Sequence, residues 1–249
     1  MLHAHDDTAK LSAVKIVDGL RTARVLTGML RDLARDGGPD TTNAAGLAEI
    51  RVQLAARLRQ LDITVRVSGE DRVPREGGVI FMWNQTSHLD HLVVPLAIPR
   101  PFHSTYNNEL RRFPIYGKRL ARSDHFWLDR NNEAQWRAQL AEAARRVRDD
   151  GACVLISPEG TRSRDGKLLP MKRGAFYLAR LAARPIVCVC IRGAHELLAR
   201  GSLIVKPGTI EVEVAPPIEV DEESAPVLEQ RVVERFTRTA QYQDRMPSK

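Results

Sequence analysis

The chain has 249 residues, of which 43% are hydrophobic, 28% charged and only 5% aromatic, and its formal net charge is +7. That length suits one large α/β domain with a small helical appendage, and it buries a core without disulfides or structural metals. The positive balance favours an anionic partner, while the lack of interleaved aromatic and basic residues argues against a nucleic-acid platform.

Taken in chain order, the start Met1-Leu2-His3-Ala4-His5-Asp6-Asp7 lacks the charged-then-apolar pattern of a secretory signal. Leu11, Val14, Val17, Leu20, Val25, Met29, Leu30 and Leu33 recur at near-helical spacing among Lys10, Arg21, Arg24 and Arg31. Asp36-Gly37-Gly38-Pro39 stops this helix, and a second arginine-rich one is expected from Asn43 to Leu61. Two basic amphipathic helices in succession either form a membrane-facing hairpin or pack on the main domain. No run approaches the ~18 apolar residues of a membrane span, so membrane contact is expected to be peripheral.

From Ile63 onward the pattern alternates. Strands are predicted at Ile63–Val67, Val79–Trp83, His125–Leu128, Ala152–Ser157, Pro185–Ile191, Leu203–Val205 and Ile210–Val214. Helices are predicted at Glu133–Arg148 and Arg173–Ala183, with a final one from Asp221 to Tyr242. Lys206-Pro207-Gly208-Thr209 reads as a hairpin turn joining the last two strands. The alternation implies an α/β fold, with a largely parallel central sheet flanked by helices and an N-terminal helical pair. The expected division is residues 1–61 for the pair, 62–220 for the main domain and 221–249 for the C-terminal helix and tail. Cys153, Cys188 and Cys190 lie in apolar runs without metal-ligand spacing, which predicts reduced core thiols and a cytoplasmic setting.

Two segments carry chemistry. Ser157-Pro158-Glu159-Gly160-Thr161-Arg162-Ser163 follows an apolar strand. Pro158 and Gly160 suit an irregular backbone close to a ligand, and Arg162 offers a planar fork for a phosphate. Glu159 either fixes that fork or contacts a hydroxyl, and a plain surface ion pair explains the two charges equally well. The other segment, Trp83-Asn84-Gln85-Thr86-Ser87-His88-Leu89-Asp90-His91, follows the strand Val79–Trp83 and opens a helix, where α/β proteins place their sites. On a helix His88 and His91 are one turn apart, and Ser87 and Asp90 could serve as caps.

These segments resemble the first and third blocks of the glycerolipid acyltransferase superfamily, which includes the 1-acylglycerol-3-phosphate acyltransferases. The first block reads Asn-His-x-Ser-x-x-Asp; Asn84, Ser87 and Asp90 match it, and Gln85 stands at the histidine place. Pro158 through Arg162 match the third block, with Ser157 in place of its phenylalanine. The second, Gly-x-x-Phe-x-x-Arg, is partly kept by Trp127 and Arg130, with Asp124 at the glycine place. Arg184-Pro185-Ile186-Val187-Cys188-Val189 resembles the fourth, and Asn107-Asn108-Glu109-Leu110 with Pro114 and Gly117 resembles the stretch between the first two. The resemblance spans residues 60–220.

It implies transfer of a fatty acyl group from acyl-CoA or acyl carrier protein to a lysophospholipid hydroxyl, with no metal or bound organic cofactor. Arg130, Glu159, Gly160, Thr161 and Arg162 would bind the acceptor's glycerol phosphate. The family's base is a histidine oriented by the aspartate, and an amide at Gln85 has no useful basicity. Three readings follow. His88 serves as base beside Asp90, with Gln85 donating a hydrogen bond to the substrate carbonyl; or the chain binds (lyso)phospholipid without turnover; or Gln85 is a substitution for a natural histidine. Peripheral residence on the inner face of an anionic cell membrane is the expected location, with no nucleic-acid partner.

Overall fold

The structure, a computed structural model, describes residues 16–28, 31, 40–112, 117, 122–221 and 224–238. A helix over 16–28 (α1) precedes α2 (Ala44–Gln60), β1 (Ile63–Ser68), β2 (Val79–Trp83), α3 (Asp90–Ala97), β3 (His103–Asn107) and β4 (Phe126–Leu128). Then come α4 (Glu133–Asp149), β5 (Cys153–Ile156), α5 (Arg173–Ala182), β6 (Ile186–Arg192), the one-turn α6 (Ala194–Leu197), β7 (Gly208–Val214) and α7 (Ala225–Arg238).

The strands form one sheet in the order β1-β7-β6-β2-β5-β3-β4. β6, β2, β5, β3 and β4 run parallel, while β7 is antiparallel to β6 and parallel to β1. The sequence dictates this burial. Val79-Ile80-Phe81-Met82-Trp83 and Cys153-Val154-Leu155-Ile156 are apolar without a break because helices cover both faces of the central strands. Side chains alternate between two cores with the period of the strand. Val79, Phe81, Trp83, Val187 and Val189 meet α2 and α3 on one face. Ile80, Met82, Ile186, Cys188 and Cys190 meet α4, α5 and α7 on the other.

Helix ends follow local chemistry. The Asn43 side chain accepts from Gly46 N at 2.8 Å and caps α2; the Asn132 side chain accepts from Gln135 N at 3.0 Å and caps α4. α5 ends where Ala183 turns left-handed at φ 45°, ahead of Pro185. Arg51 of α2 donates to Pro95 O (3.0 Å) and Leu96 O (2.7 Å), satisfying the last turn of α3 and fixing that helix against α2. The tilt of α1 is set in the same way: the Thr22 hydroxyl accepts from Val205 N at 3.0 Å, and Arg21 pairs with Asp62.

Three expectations change. Leu203–Val205 is an irregular loop, because only Val205 of the three is buried and the other two face outward. Lys206-Pro207-Gly208-Thr209 is accordingly no hairpin turn: Gly208 and Thr209 already belong to β7, paired in parallel with Ile63 and Thr64. β3 was not expected; its sequence His-Ser-Thr-Tyr-Asn is polar and only Ser104 is buried. The predicted beginning of the first helix, its stop at Asp36–Pro39, Pro114 and the predicted end of the last helix at Tyr242 lie outside the described residues.

Candidate active site

Five parallel strands send their carboxyl ends to the same edge. There the loops Asn84–Leu89, Asp129–Arg130, Ser157–Ser163 and Gly193–Arg200 emerge together. β2 and β5 are neighbours, yet α3 leaves β2 onto one face and α5 leaves β5 onto the other. A crevice opens where adjacent connections diverge in this way, and α/β proteins bind ligands there.

The crevice floor is polar and fully buried: Asn84, Ser87, Asp90, Glu159 and Ser163 each have 0% exposure. The Asn84 side chain ties the end of β2 to β6, donating from Nδ2 to Ile191 O (2.9 Å) and accepting at Oδ1 from Ile191 N (2.7 Å). Asn84→Ala should therefore leave a buried N–H and a buried C=O unmatched and destabilise the fold by about 2–4 kcal/mol, read as a lower urea midpoint at unchanged slope.

Glu159 joins the two chemical segments. Its Oε1 accepts from Gln85 N and its Oε2 from Leu169 N, each at 2.7 Å. Gln85 O in turn accepts from Ser163 N at 2.9 Å. Burial pushes the Glu159 carboxyl up to about 7, against the pull of those two N–H groups. Both its oxygens are thus engaged within the chain, and it makes no ion pair with Arg162. Gly160 sits at φ 64°, where a side chain is strained, and its carbonyl accepts from Arg130. The Thr161 side chain makes no hydrogen bond among the described residues.

Asp90 opens α3. Its Oδ2 accepts from Thr86 N and Ser87 N, both at 2.7 Å, which folds the loop back onto the helix start. Its Oδ1 is buried without a partner. Burial, and secondarily the charge of Glu159, raise this carboxyl to about 7 despite the two N–H donors. Ser87 donates to Leu198 O at 2.7 Å and accepts from Leu89 N at 3.2 Å. Neither Ser87 nor Asp90 caps α3, whose cap residue is Leu89.

His88 therefore precedes the helix instead of lying one turn along it. It is exposed at the rim, and its pKa is lowered by burial of part of the ring and by the charge of Arg162. His91 is open to solvent on one side but hemmed in by protein elsewhere, edge-on to Trp83 at 4.9 Å. Desolvation, then His88 and Arg162, lower it to about 4. Both imidazoles are thus neutral near pH 7. No hydrogen bond joins His88 to Asp90, and the Gln85 amide has no partner among the described residues.

Arg162 completes the rim. Its guanidinium makes no hydrogen bond or ion pair among the described residues, yet its charge is felt at His88, Asp90 and His91. Arg200 donates to Arg162 O at 2.9 Å, and its charge, after desolvation, lowers the Arg162 pKa. The two guanidinium groups concentrate positive charge at the rim, offset at Arg162 by the Asp90 carboxyl, and a group of that kind can receive an anion. Arg200 belongs to no motif, and only the return of the loop after α6 brings it here. Of the other described histidines, His103 meets Asp124 and His125 accepts from Ser104 N at 3.2 Å, while the Nδ1 of His195, on α6, is buried without a hydrogen-bond partner. Among the described residues no cluster of His, Cys, Asp and Glu suits a metal ion.

A family model described as Acyltransferase matches residues 64–192, just over half of the chain. Among curated relatives, the 1-acyl-sn-glycerol-3-phosphate acyltransferase of Limnanthes douglasii is 31% identical over 160 residues, covering 64% of this chain and 56% of that protein. The protein of the same name from Salmonella typhimurium is 29% identical over 146 residues, 59% of each chain. The chain thus spans somewhat over half the length of the curated relatives it matches. The crystal structure of the 1-acyl-sn-glycerophosphate (LPA) acyltransferase PlsC from Thermotoga maritima superposes with a TM-score of 0.73 at 21% identity, over 94% of this chain and 98% of that one, and shares its fold. By that family match, and by the Asn84–Asp90 and Pro158–Arg162 loops that meet at the crevice within it, the chain belongs to the glycerolipid acyltransferase superfamily.

Proposed function

We propose that the chain transfers a fatty acyl group from the thioester of coenzyme A or acyl carrier protein to the hydroxyl of a lysophospholipid such as 1-acylglycerol-3-phosphate. One observation carries this reading: Glu159 and Ser163 bind Gln85 from both sides and so bring an unpartnered Arg162 beside His88 and Asp90. In the reaction the acceptor oxygen attacks the thioester carbonyl carbon while its proton passes to His88, which is neutral at working pH. Collapse of the tetrahedral intermediate breaks the C–S bond, and the thiolate recovers the proton from the imidazolium. The Gln85 amide, free of partners, donates to the carbonyl oxygen as negative charge develops on it. Arg162, with Gly160, Thr161 and Arg130 around it, takes the acceptor phosphate, and Glu159 acts by holding the two loops in register.

A membrane surface is the source of such an acceptor, and α1 suits one. Its buried stripe is Asp18, Thr22 and Val25, while Ile16, Val17 and Leu20 stand outward, 60–69% exposed. An apolar row turned away from the protein fits peripheral contact with the inner face of an anionic membrane. Among the described residues no helix is long and apolar enough to cross a bilayer.

A second reading, lysophospholipid binding without turnover, draws on Gln85 and on the missing His88–Asp90 hydrogen bond. Thiol release from a long-chain acyl-CoA, with and without lysophosphatidate, separates the two. Acceptor-dependent release that His88→Ala removes is the expected result. Silence in the unmodified chain, with release gained in Gln85→His by about 10²–10⁴-fold over background, would establish the second reading. Release that survives both His88→Ala and Asp90→Ala would sink the proposed base.

A further inference from the structure

Between α6 and β7 the chain makes an exposed loop over residues 199–206, which the acyl-transfer chemistry does not account for. Leu203 at its tip is 84% exposed, the highest value of any large hydrophobic side chain described, and Ile204 is 37% exposed. The loop is nevertheless well anchored. Ser202 N donates to Ala199 O at 3.0 Å, and the Ser202 hydroxyl accepts from Ile204 N at 3.2 Å. Lys206 N donates to Leu197 O at 2.9 Å, and Val205 N donates to the Thr22 hydroxyl of α1 at 3.0 Å. Leu203 is therefore held out in water, with Ile204 partly exposed beside it, by a loop whose polar backbone is engaged at both ends. That arrangement is costly unless something apolar receives them.

The flanks indicate what receives them. Arg200 and Lys206, one on either side of the tip, are both exposed cations, and Lys206 has no ion pair among the described residues. A pair of apolar residues between two cations matches the boundary of an anionic leaflet, where acyl chains lie beneath phosphate groups. The Thr22–Val205 bond places the loop against the buried side of α1, the helix whose other side carries the outward apolar row of Ile16, Val17 and Leu20. At its other end, Arg200 is bonded to the Arg162 backbone at the crevice rim.

We propose that the 199–206 loop is a second lipid-contact element, which inserts Leu203 and Ile204 into an anionic leaflet beside α1 and thereby turns the Arg162–Arg200 rim toward the headgroups. The proposal rests on the membrane-surface reading above. It differs from that reading in giving bilayer affinity to a loop far from the N-terminal helices in sequence. It also ties that affinity to the mouth of the crevice.

The test is flotation of the full chain with vesicles of phosphatidylcholine and phosphatidylglycerol in equal parts. Leu203→Ser combined with Ile204→Ser should weaken partitioning by about tenfold or more, the expectation for removing one to two interfacially buried aliphatic side chains. Leu203→Ser alone should weaken partitioning by several-fold with thermal unfolding unchanged, because that side chain is 84% exposed, and it serves as the control for any stability that the partly covered Ile204 contributes. A second measurement uses Leu203→Cys carrying a polarity-sensitive dye, which labels selectively because Cys153, Cys188 and Cys190 are all buried. Its emission should shift to the blue with the anionic vesicles, and partitioning should be about tenfold weaker on pure phosphatidylcholine.

Flotation of the double variant equal to that of the unmodified chain, or an unshifted dye, would overturn the proposal. So would equal affinity for neutral and anionic vesicles. A lipid-free dimer that the double variant dissolves would name a second copy as the occupant and overturn it as well. None of these readouts depends on thiol release, so failure of the acyl-transfer reading leaves the loop's role standing, and the reverse also holds.

Discussion

Asp90→Asn should raise the stability of the fold at alkaline pH and cut acyl transfer by roughly 10²-fold or more. The carboxyl is fully buried and sits at about 7, above its unfolded value of 3.8. A carboxyl raised in this way favours the folded state in its protonated form. Its contribution is fully present below about pH 4 and is lost as pH rises through about 7. Glu159, also raised to about 7, acts in the same direction. His91 and His125, each lowered to about 4 chiefly by burial, act in the opposite one. Their contribution is present above the unfolded value of 6.5 and is lost as pH falls toward 4. In the unmodified chain the two pairs therefore oppose each other between pH 4 and 6.5, and stability there should be nearly flat.

Asparagine keeps an oxygen for Thr86 N and Ser87 N and removes the buried charge. Urea unfolding of the variant should then show stability climbing with pH through that window, and a gain on the order of 1–3 kcal/mol near pH 8. A variant less stable than the parent at every pH would mean that the two N–H bonds, and not the charge, decide the fold here. The rate should fall for a separate reason. On the proposed mechanism His88 becomes positive when it takes the acceptor proton, and the variant removes the carboxylate two residues along the chain that would offset that charge. A gain in stability accompanied by a loss of rate marks a group retained for chemistry.

How far the sequence revealed these features depends on the kind of signal. The central strands were legible because burial on both faces demands unbroken apolar runs, and Val79–Trp83 emerges with the expected bounds. α2 was legible through its cap, since Asn43 both ends the preceding loop and accepts from Gly46 N. His103–Asn107 was not, because a strand near the sheet edge with one buried residue carries no apolar period. Leu203–Val205 misled for the converse reason: three aliphatic residues in succession mimic a strand when two of them face outward.

In the site, residue types and the spacing within each loop pointed to the carboxyl edge of the sheet, where the two loops do meet, but partnerships did not follow from either. Nothing in Pro158–Arg162 says that Glu159 reaches across to Gln85 N in place of Arg162. That choice depends on how β5 sits in register with β2, where Phe81 pairs with Leu155. Arg200 had no signal at all, since it enters through the path of a loop between α6 and β7. The helix that would have put His88 and His91 one turn apart begins only after His88, for a local reason. Asp90 spends one oxygen on Thr86 N and Ser87 N, which delays the helix until Asp90 itself.

Arg162→Ala should discriminate between acceptors. With a phosphorylated lysolipid, kcat/KM should fall by roughly 10–10³-fold, the loss expected for one or two charge-assisted hydrogen bonds to a phosphate. With a neutral monoacylglycerol the loss should stay within about threefold, and Arg162→Lys should fall between, because an ammonium keeps the charge without the fork. Equal losses on both acceptors would remove Arg162 from the phosphate seat. The fold should not suffer. The Arg162 guanidinium has no hydrogen-bond partner among the described residues, and its removal relieves repulsion from Arg200, which outweighs the lost attraction to Asp90.

A further readout separates a direct role from a general disturbance. The charge of Arg162 lowers the pKa of His88, so its removal must raise it. If His88 is the base, the acid limb of the pH–rate profile for the neutral acceptor should move to higher pH in Arg162→Ala, with the plateau little changed. A profile that falls uniformly without moving would leave Arg162 binding the phosphate but would place the base elsewhere, with His91 the next imidazole to examine. The same arginine thus tests both halves of the proposed site, since its fork is assigned to the acceptor phosphate while its charge, after burial, lowers the proton affinity of His88.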